Sequence, residues 1–137
     1  MFKINYVTEA GKSFWFTLDR HMSADEFELK ITHKRGYIIS DGDKPIGIMR
    51  YNLFWDNTPF LNLIYLEEAC HGKGFGKQAM EHWENEMRNL GHKLVMTSTQ
   101  ANEQAQHFYR KLGYKDAGCL LIDTDDAAEL FFTKSLD

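Results

Sequence analysis

Residues 71–77 combine glycines and lysines in a pattern suited to binding a phosphate or a pyrophosphate. Glycine allows backbone dihedrals that other residues avoid, and it lets the chain approach a ligand closely. Lys73 and Lys77 add positive charge, and no acidic residue lies between them. The candidate ligand-binding residues of this segment are His71, Gly72, Lys73, Gly74, Phe75, Gly76 and Lys77.

The segments on either side indicate how these residues are positioned. Residues 60–67 are mostly apolar and predict a strand, whereas residues from about 74 to 90 have the apolar spacing of an amphipathic helix. The first N–H groups of a helix have no partner within the helix, and the helix dipole adds partial positive charge there. A strand, a glycine-rich turn and a helix start together predict an anion site.

Two common phosphate motifs fail on spacing. A Walker A loop requires glycine at position 71 and a hydroxyl residue at position 78, where this chain has histidine and glutamine. The dinucleotide fingerprint matches Gly74, Gly76 and Ala79, but it also requires an acidic residue at the end of the next strand. The next predicted strand, residues 93–99, offers no carboxylate there. Neither a nucleoside triphosphatase nor a nicotinamide enzyme is therefore indicated.

A third motif fits both this loop and a second segment. His71, Gly74 and Gly76 occupy the key positions of the pattern Arg/Gln-x-x-Gly-x-Gly/Ala, which is the coenzyme A pyrophosphate loop of the GNAT family of N-acetyltransferases. Residues 102–114 resemble the downstream motif of the family, Asn-x-x-Ala-x-x-Phe-Tyr-x-Lys-Leu-Gly-Phe, at almost every marked position. A predicted strand separates the two segments, as the family requires. The chain therefore resembles a GNAT acetyltransferase, residue by residue between about 60 and 114.

This resemblance implies a fold and an activity. The fold is α/β (α+β), a mixed, mostly antiparallel twisted sheet with flanking helices in the order β-α-α-β-β-β-α-β-α-β-β, within a single domain of residues 1–137. The activity is transfer of an acetyl group from acetyl-CoA to a primary amine of a small molecule or peptide by direct attack. The alternative is a non-catalytic acyl-CoA-binding module of the same fold. The acceptor site would involve residues 9–35 and 51–56.

The resemblance also implies roles for individual residues. The backbone N–H of Leu66 would bind the developing oxyanion of the thioester, and Tyr109 would protonate the leaving thiolate. Asn102 would bond to the pantetheine arm or cap the following helix, two roles that can coexist. The general base would be Glu67, Glu68 or a water chain. Tyr109 could instead be a buried aromatic, but Phe108 already occupies the predicted apolar stripe of its helix.

Two residues near the loop depart from a simple interpretation. His71 stands where the family usually has Arg or Gln, and a neutral histidine is a weaker anion partner than arginine. This departure leaves the role of His71 open, but it affects the backbone cradle much less. Cys70 has no paired histidine and acid, so we interpret it as packing. The two cysteines of the chain form neither a disulfide framework nor a metal pattern, and no metal site is expected.

Composition and charge narrow the class of protein. The chain has 137 residues, of which 43% are hydrophobic, and this fits one globular domain. A net charge of −4 argues against a nucleic-acid partner, and no apolar run is long enough for a membrane span. The N-terminus lacks the pattern of a signal peptide, so we expect a cytoplasmic protein. Positive charge concentrates in residues 70–77 and 107–115, where it would attract a polyanion. A homodimer is possible.

The rest of the chain predicts the elements that surround the site. A strand is expected at 2–8, a helix around Phe14 to Met22, and a second helix that Ser23 caps and Gly36 ends. A hairpin with an Asp-Gly turn follows, and then the strand that precedes the loop. We expect the helix after the loop to have one buried and one exposed face. The buried face would contain Phe75, Ala79, Met80, Trp83, Met87 and Leu90. The exposed face would contain Lys77, Glu81, Glu84 and Arg88. The last expected elements are a helix after Asn102 and two strands at 114–122 and 129–134.

Overall fold

A computed structural model describes all residues from Met1 to Asp137. Its order of strands and helices is the one predicted from the sequence. The elements are β1 (Phe2–Tyr6), α1 (Lys12–Leu18), α2 (Ala24–His33), β2 (Gly36–Asp41), β3 (Lys44–Phe54), β4 (Thr58–Leu66), α3 (Phe75–Asn89), β5 (Leu94–Gln100), α4 (Ala105–Lys111), β6 (Lys115–Leu120) and β7 (Glu129–Ser135). None of the helices is both long enough and apolar enough to cross a membrane.

The strands form one seven-stranded sheet in the order β1-β2-β3-β4-β5-β7-β6. The pairs β1–β2, β2–β3, β5–β7 and β6–β7 are antiparallel, whereas β4 and β5 are parallel. The parallel ladder comprises two pairs, Phe60 with Met96 and Leu61 with Thr97. The sheet is therefore mixed and mostly antiparallel, as predicted.

The chain divides into two compact units. The first unit contains residues 1–52 and 62–83, and the second contains residues 53–61 and 84–137. The strands β3 and β4 and the helix α3 contribute residues to both units. The expectation of a single domain over residues 1–137 stays a prediction.

In the first unit, α1 and α2 pack on a core that contains Trp15 and Phe27, both fully buried. The predicted cap of α2 is confirmed, because the Ser23 hydroxyl accepts a hydrogen bond of 3.2 Å from the Glu26 N–H. The predicted end of α2 at Gly36 is wrong. The helix ends at His33, and Gly36 begins β2, where a Cβ atom would lie 3.0 Å from a methyl group of Val7. That glycine serves close packing rather than helix termination.

The first predicted helix is shorter than expected. It ends at Leu18, and Asp19 follows in an extended conformation, so Met22 lies beyond the helix. The apolar spacing therefore predicted a helix that continues to Met22, beyond the observed end of α1 at Leu18. The Asp19 side chain accepts hydrogen bonds from the Trp15 indole, the His21 N–H and the Arg50 guanidinium.

In the second unit, the prediction that Glu84 lies on the exposed face of α3 is wrong. Glu84 is only 3% exposed. Its carboxylate accepts a hydrogen bond of 2.8 Å from the Tyr114 hydroxyl and forms an ion pair of 2.9 Å with Lys134. Partners that lie far away in sequence make its burial possible, because a buried charge requires pairing.

The predicted burial of Leu90 is also wrong, since this residue is 62% exposed. It lies just beyond Asn89, the last residue of α3, where the apolar face no longer meets a core. Gly91 follows with φ of 93°, and its N–H donates to the Arg88 carbonyl at 2.9 Å. The predicted termination of the helix at Gly91 is therefore confirmed.

Candidate active site

The predicted arrangement of strand, glycine-rich turn and helix is present in the first unit. The strand β4 ends at Leu66, a short 3-10 turn covers Glu68–Cys70, and α3 begins at Phe75. Gly72 and Gly74 have φ values of 75° and 86°, and a Cβ atom at either would meet no atom within 4 Å. These glycines are required by the left-handed backbone rather than by lack of space. The open surface leaves room for a ligand at the loop.

The charges of this loop favour an anion. Lys73 and Lys77 are exposed, and neither ammonium group forms a hydrogen bond or an ion pair within the chain. The first turn of α3 contains no acidic residue. With the unpaired N–H groups of the helix start, these lysines form a positive surface that suits a pyrophosphate. The residues present therefore fit the group that the sequence predicts.

The peptide unit between Leu66 and Glu67 is held at both of its polar atoms. The Glu67 N–H donates to the Ile46 carbonyl at 2.8 Å. The Leu66 carbonyl oxygen lies 2.9 Å from Nε2 of His71. The two bonds fix the plane of this peptide, which directly follows the N–H of Leu66, the predicted oxyanion donor.

The His71 contact has a consequence for its tautomer. When the Nε2–H donates to Leu66, the Nδ1 atom of a neutral ring carries a lone pair and cannot donate to a phosphate. The geometry therefore engages His71 with the backbone of the site. In this respect the histidine differs from a free arginine, which would carry a permanent charge to the ligand.

Gly47 contributes to the same region and was not singled out from the sequence. A Cβ atom at this position would lie 2.6 Å from the Tyr65 carbonyl oxygen and 2.5 Å from a methyl group of Leu66. Only glycine therefore lets β3 approach the end of β4 so closely. An isolated glycine within an apolar strand is a signal for such an approach, and it could have been used here.

The base candidates lie directly after β4. Glu67 is half-buried and Glu68 is exposed, and neither side chain forms a hydrogen bond or ion pair within the chain. Cys70 is partly buried and unpaired. The Glu67 carboxylate therefore has no bonding partner within the chain.

Tyr109 lies in the second unit, and the prediction that it lies off the buried face of its helix is wrong. It is 5% exposed and is the residue of α4 that is buried, whereas Phe108 is half-buried. Its ring packs against Tyr114 and Phe132, with centroid distances of 5.8 and 6.0 Å. The apolar spacing had assigned that face to Phe108, but the helix is turned so that Tyr109 meets β7.

The surroundings of Tyr109 keep it protonated. Burial raises the pKa of Tyr109 to about 12, and the carboxylates of Glu103 and Glu129 add to the rise, while the Thr97 hydroxyl opposes it. The phenol is thus a neutral proton donor throughout the ordinary pH range. This state is the one that a general acid requires.

The predicted helix cap at Asn102 is wrong. The helix α4 begins at Ala105, and its N-cap position is Gln104, which makes no side-chain cap bond. The Gln106 side chain instead donates to the Ala101 and Glu103 carbonyls, at 2.8 and 2.9 Å. The exposed side chain of Asn102 forms no hydrogen bond within the chain, so its role toward the pantetheine arm stays a prediction.

Residues 107–115, the second segment in which positive charge concentrates, carry less unpaired charge than the sequence suggested. Arg110 forms a two-pronged ion pair with Asp116, with nitrogen–oxygen distances of 3.0 and 2.9 Å. Asp116 directly follows residues 107–115, which contain no acidic residue. The charges that remain without an ion pair are those of Lys111 and Lys115, both exposed.

A cleft of about 280 Å³ opens in the first unit beside the end of α1. It is lined by residues 17–21 together with Leu63 and Tyr65 of β4, and we refer to it as the α1–β4 cleft. Of the residues predicted to shape the acceptor site, the cleft is lined by residues 17–21 from the range 9–35 and by none from the range 51–56. Their alternate positions on β4 place Leu63 and Tyr65 on the same face of the strand.

Comparison with known proteins identifies the family. A family model described as Acetyltransferase (GNAT) family matches residues 5–114, which include both the glycine-rich loop and Tyr109. The chain belongs to this family. Members of the GNAT family use acetyl-CoA as the acyl donor. The match thus supports the resemblance seen in the two sequence motifs.

One curated relative and two solved structures illustrate the likeness. Peptidyl-lysine N-acetyltransferase YjaB of Salmonella typhimurium is 27% identical over 85 residues, which are 62% of this chain and 52% of that protein. The matched region thus spans about half the length of that relative. Ard1 from Thermoplasma volcanium has a TM-score of 0.86 at 12% identity, covering 98% of this chain and 97% of that one. Arabidopsis thaliana Naa50, in complex with the bisubstrate analogue CoA-Ac-MVNAL, has a TM-score of 0.81 at 13% identity, covering 98% of each chain.

Proposed function

We propose that this chain is an N-acetyltransferase that transfers an acetyl group from acetyl-CoA to a primary amine of a small molecule or peptide. The observation that carries this proposal is the family match over residues 5–114, which spans a loop with the left-handed glycines and free lysines described above. The curated relative named above is a peptidyl-lysine N-acetyltransferase, which fits an amine acceptor. Acetyl-CoA supplies the reactive thioester and is held by its phosphates.

Each candidate residue then has a defined task. The N–H groups of residues 71–76, with Lys73 and Lys77, bind the pyrophosphate. The Leu66 N–H binds the carbonyl oxygen on which charge develops, and such a donor typically contributes a factor of about 100 to 1,000 in turnover. Glu67 accepts a proton from the amine, and Tyr109 gives a proton to the leaving sulfur. Asn102 binds the pantetheine arm.

The experiment is a transfer assay on the purified chain. Acetyl-CoA is mixed with a panel of small amines, lysine-containing peptides and peptide N-termini, and both the free thiol and the acetylated amine are quantified. We expect equal amounts of the two products with at least one class of acceptor. Binding of acetyl-CoA without transfer to any amine would contradict the proposal and favour a non-catalytic acyl-CoA-binding module.

A further inference from the structure

The α1–β4 cleft has a size and a position that suit the acceptor. Its volume of about 280 Å³ lies just below the usual range of about 300–1,000 Å³ for small-molecule pockets, which suits a small acceptor. Tyr65, which lines the cleft, directly precedes Leu66, the predicted partner of the thioester carbonyl. An amine held in this cleft would therefore lie close to the reacting end of β4.

The acid in this cleft is not available to a cationic ligand. Asp19 is 2% exposed, and its carboxylate accepts hydrogen bonds from the Trp15 indole at 3.1 Å and from the His21 N–H at 3.1 Å. It also forms an ion pair of 2.9 Å with Arg50. Because its charge is compensated and its oxygens are occupied, Asp19 offers no site for an ammonium group.

The free charge of the cleft belongs to Arg20. This residue is exposed, and its guanidinium forms no hydrogen bond or ion pair within the chain. The His21 side chain is also exposed and without a hydrogen-bond partner. The lining therefore offers one cation without a partner, the Arg20 guanidinium, and no carboxylate without a partner. A planar guanidinium binds carboxylates and phosphates through two parallel hydrogen bonds.

We propose that the α1–β4 cleft receives the acceptor and that Arg20 selects amines that also carry an anionic group, a carboxylate or a phosphate. The proposal rests on the proposed function and deepens it, since it names the class of acceptor. Polyamines and other purely cationic amines would be poor acceptors, because they would meet an unpaired guanidinium instead of a free carboxylate.

Matched pairs of acceptors test the selection. Phenylalanine is compared with phenylethylamine, and glucosamine 6-phosphate with glucosamine, so that the pairs distinguish a carboxylate from a phosphate. The anionic member of at least one pair should have the higher kcat/KM by about tenfold or more, the range expected of a hydrogen bond to a charged group. Arg20→Ala should remove this preference by raising KM for the anionic member alone, and Arg20→Lys should restore part of it. Lys93→Ala, which removes an exposed cation elsewhere, should behave like the natural chain.

A binding measurement makes the outcome independent of turnover. The same four compounds are titrated by nuclear magnetic resonance, with the backbone signals of residues 17–21 as the readout. Tighter binding of an anionic compound, weakened about tenfold by Arg20→Ala, would support the proposal. Equal binding within both pairs, or equal binding to the natural chain and Arg20→Ala, would overturn it. These titrations contain no acetyl-CoA, so their outcome does not depend on whether the chain binds it. If a separate titration showed that acetyl-CoA does not bind, that result would contradict the proposed function and not the selection by Arg20.

Discussion

At the scale of single residues, the two groups closest to the proposed chemistry are held by different forces. The Leu66–Glu67 peptide is fixed by hydrogen bonds to Ile46 and His71, both near 2.9 Å. Tyr109 is fixed by burial among aromatic rings. Hydrogen bonds hold the peptide that directly follows the Leu66 N–H, whereas burial keeps Tyr109 protonated, as a general acid requires.

Replacing Tyr109 with phenylalanine tests the acid directly. Tyr109→Phe removes the proton donor and keeps the ring, so kcat should fall by about 100-fold or more, while the Kd for acetyl-CoA changes little. Because the pKa of Tyr109 is raised to about 12, the phenol stays protonated and its contribution to kcat should persist up to about pH 10. Steady-state kinetics over that pH range and calorimetric titration provide the two readouts.

Tyr114→Phe is the matched control, because it makes the same change in a neighbouring buried tyrosine without a proposed role in transfer. Its kcat should remain close to that of the natural chain under conditions where it is folded. A Tyr109→Phe variant that keeps full turnover would remove the assignment of the acid.

Variants of His71 distinguish a role in positioning the Leu66 peptide from direct contact with the ligand. His71→Ala removes the bond to the Leu66 carbonyl and should lower kcat about two- to tenfold, the value of one ordinary hydrogen bond. His71→Gln keeps an N–H donor of similar reach and should recover most of the loss. The comparison of kcat with the Kd for acetyl-CoA in both variants is the measurement. If glutamine were as defective as alanine, the imidazole itself would be needed at the ligand.

At the scale of elements, the sequence predicted what depends on local periodicity and missed what depends on distant partners. The Ser23 cap, the Asp-Gly hairpin and the order of strands and helices were confirmed. The burial of Glu84 was not predictable, since Tyr114 and Lys134 lie 30 and 50 positions away. Asn102 was likewise misplaced as a cap, because a turn in which the Gln106 side chain bonds to backbone carbonyls precedes the helix.

The Glu84 contacts lead to a prediction about stability. Tyr114→Phe leaves one carboxylate oxygen of Glu84 without its hydroxyl partner in a buried setting, so the free energy of unfolding should fall by about 1–3 kcal/mol. Urea denaturation is the measurement, with an unchanged m-value expected because the exposed surface on unfolding is the same. A loss below about 0.5 kcal/mol would be within the ordinary range for surface changes and would contradict the role of this bond.

At the scale of the whole molecule, each of the two compact units contains some of the predicted site residues. The phosphate loop, the Leu66 peptide and the α1–β4 cleft belong to the first, whereas Tyr109 and Asn102 belong to the second. The loop could be predicted from sequence because its chemistry lies in contiguous residues. The cleft could not, since residues 17–21 and the strand residues Leu63 and Tyr65 are separated by more than forty positions.

Lys30 should make stability depend on pH. This buried residue donates from its ammonium nitrogen to the Tyr51 carbonyl at 2.9 Å, and burial lowers the pKa of Lys30 from 10.5 to about 8. The unfolded chain therefore binds a proton that the folded chain lacks between about pH 8 and 10.5, so the free energy of unfolding should rise across that interval.

Denaturation between pH 7 and 9.5 measures this rise before the tyrosines titrate. Lys30→Met should remove it, whereas Lys93→Met, at an exposed lysine, should keep it. Above about pH 10 the trend should reverse, since burial raises the pKa values of Tyr109 and Tyr114 and their stabilising contribution is lost as they ionise. Parallel pH profiles for the natural chain and Lys30→Met would show that Lys30 is not the source.

The most direct test of the central claim, that this chain uses acetyl-CoA, is calorimetric titration with acetyl-CoA, with ATP and NAD as comparison ligands. Gly74→Ala strains a backbone with φ of 86° in the loop, and Gly91→Ala applies the same strain at φ of 93° after α3. We expect saturable binding of acetyl-CoA in preference to ATP and NAD, weakened by Gly74→Ala and retained in Gly91→Ala. Absence of acetyl-CoA binding to the natural chain, or equal binding of ATP or NAD, would contradict the account.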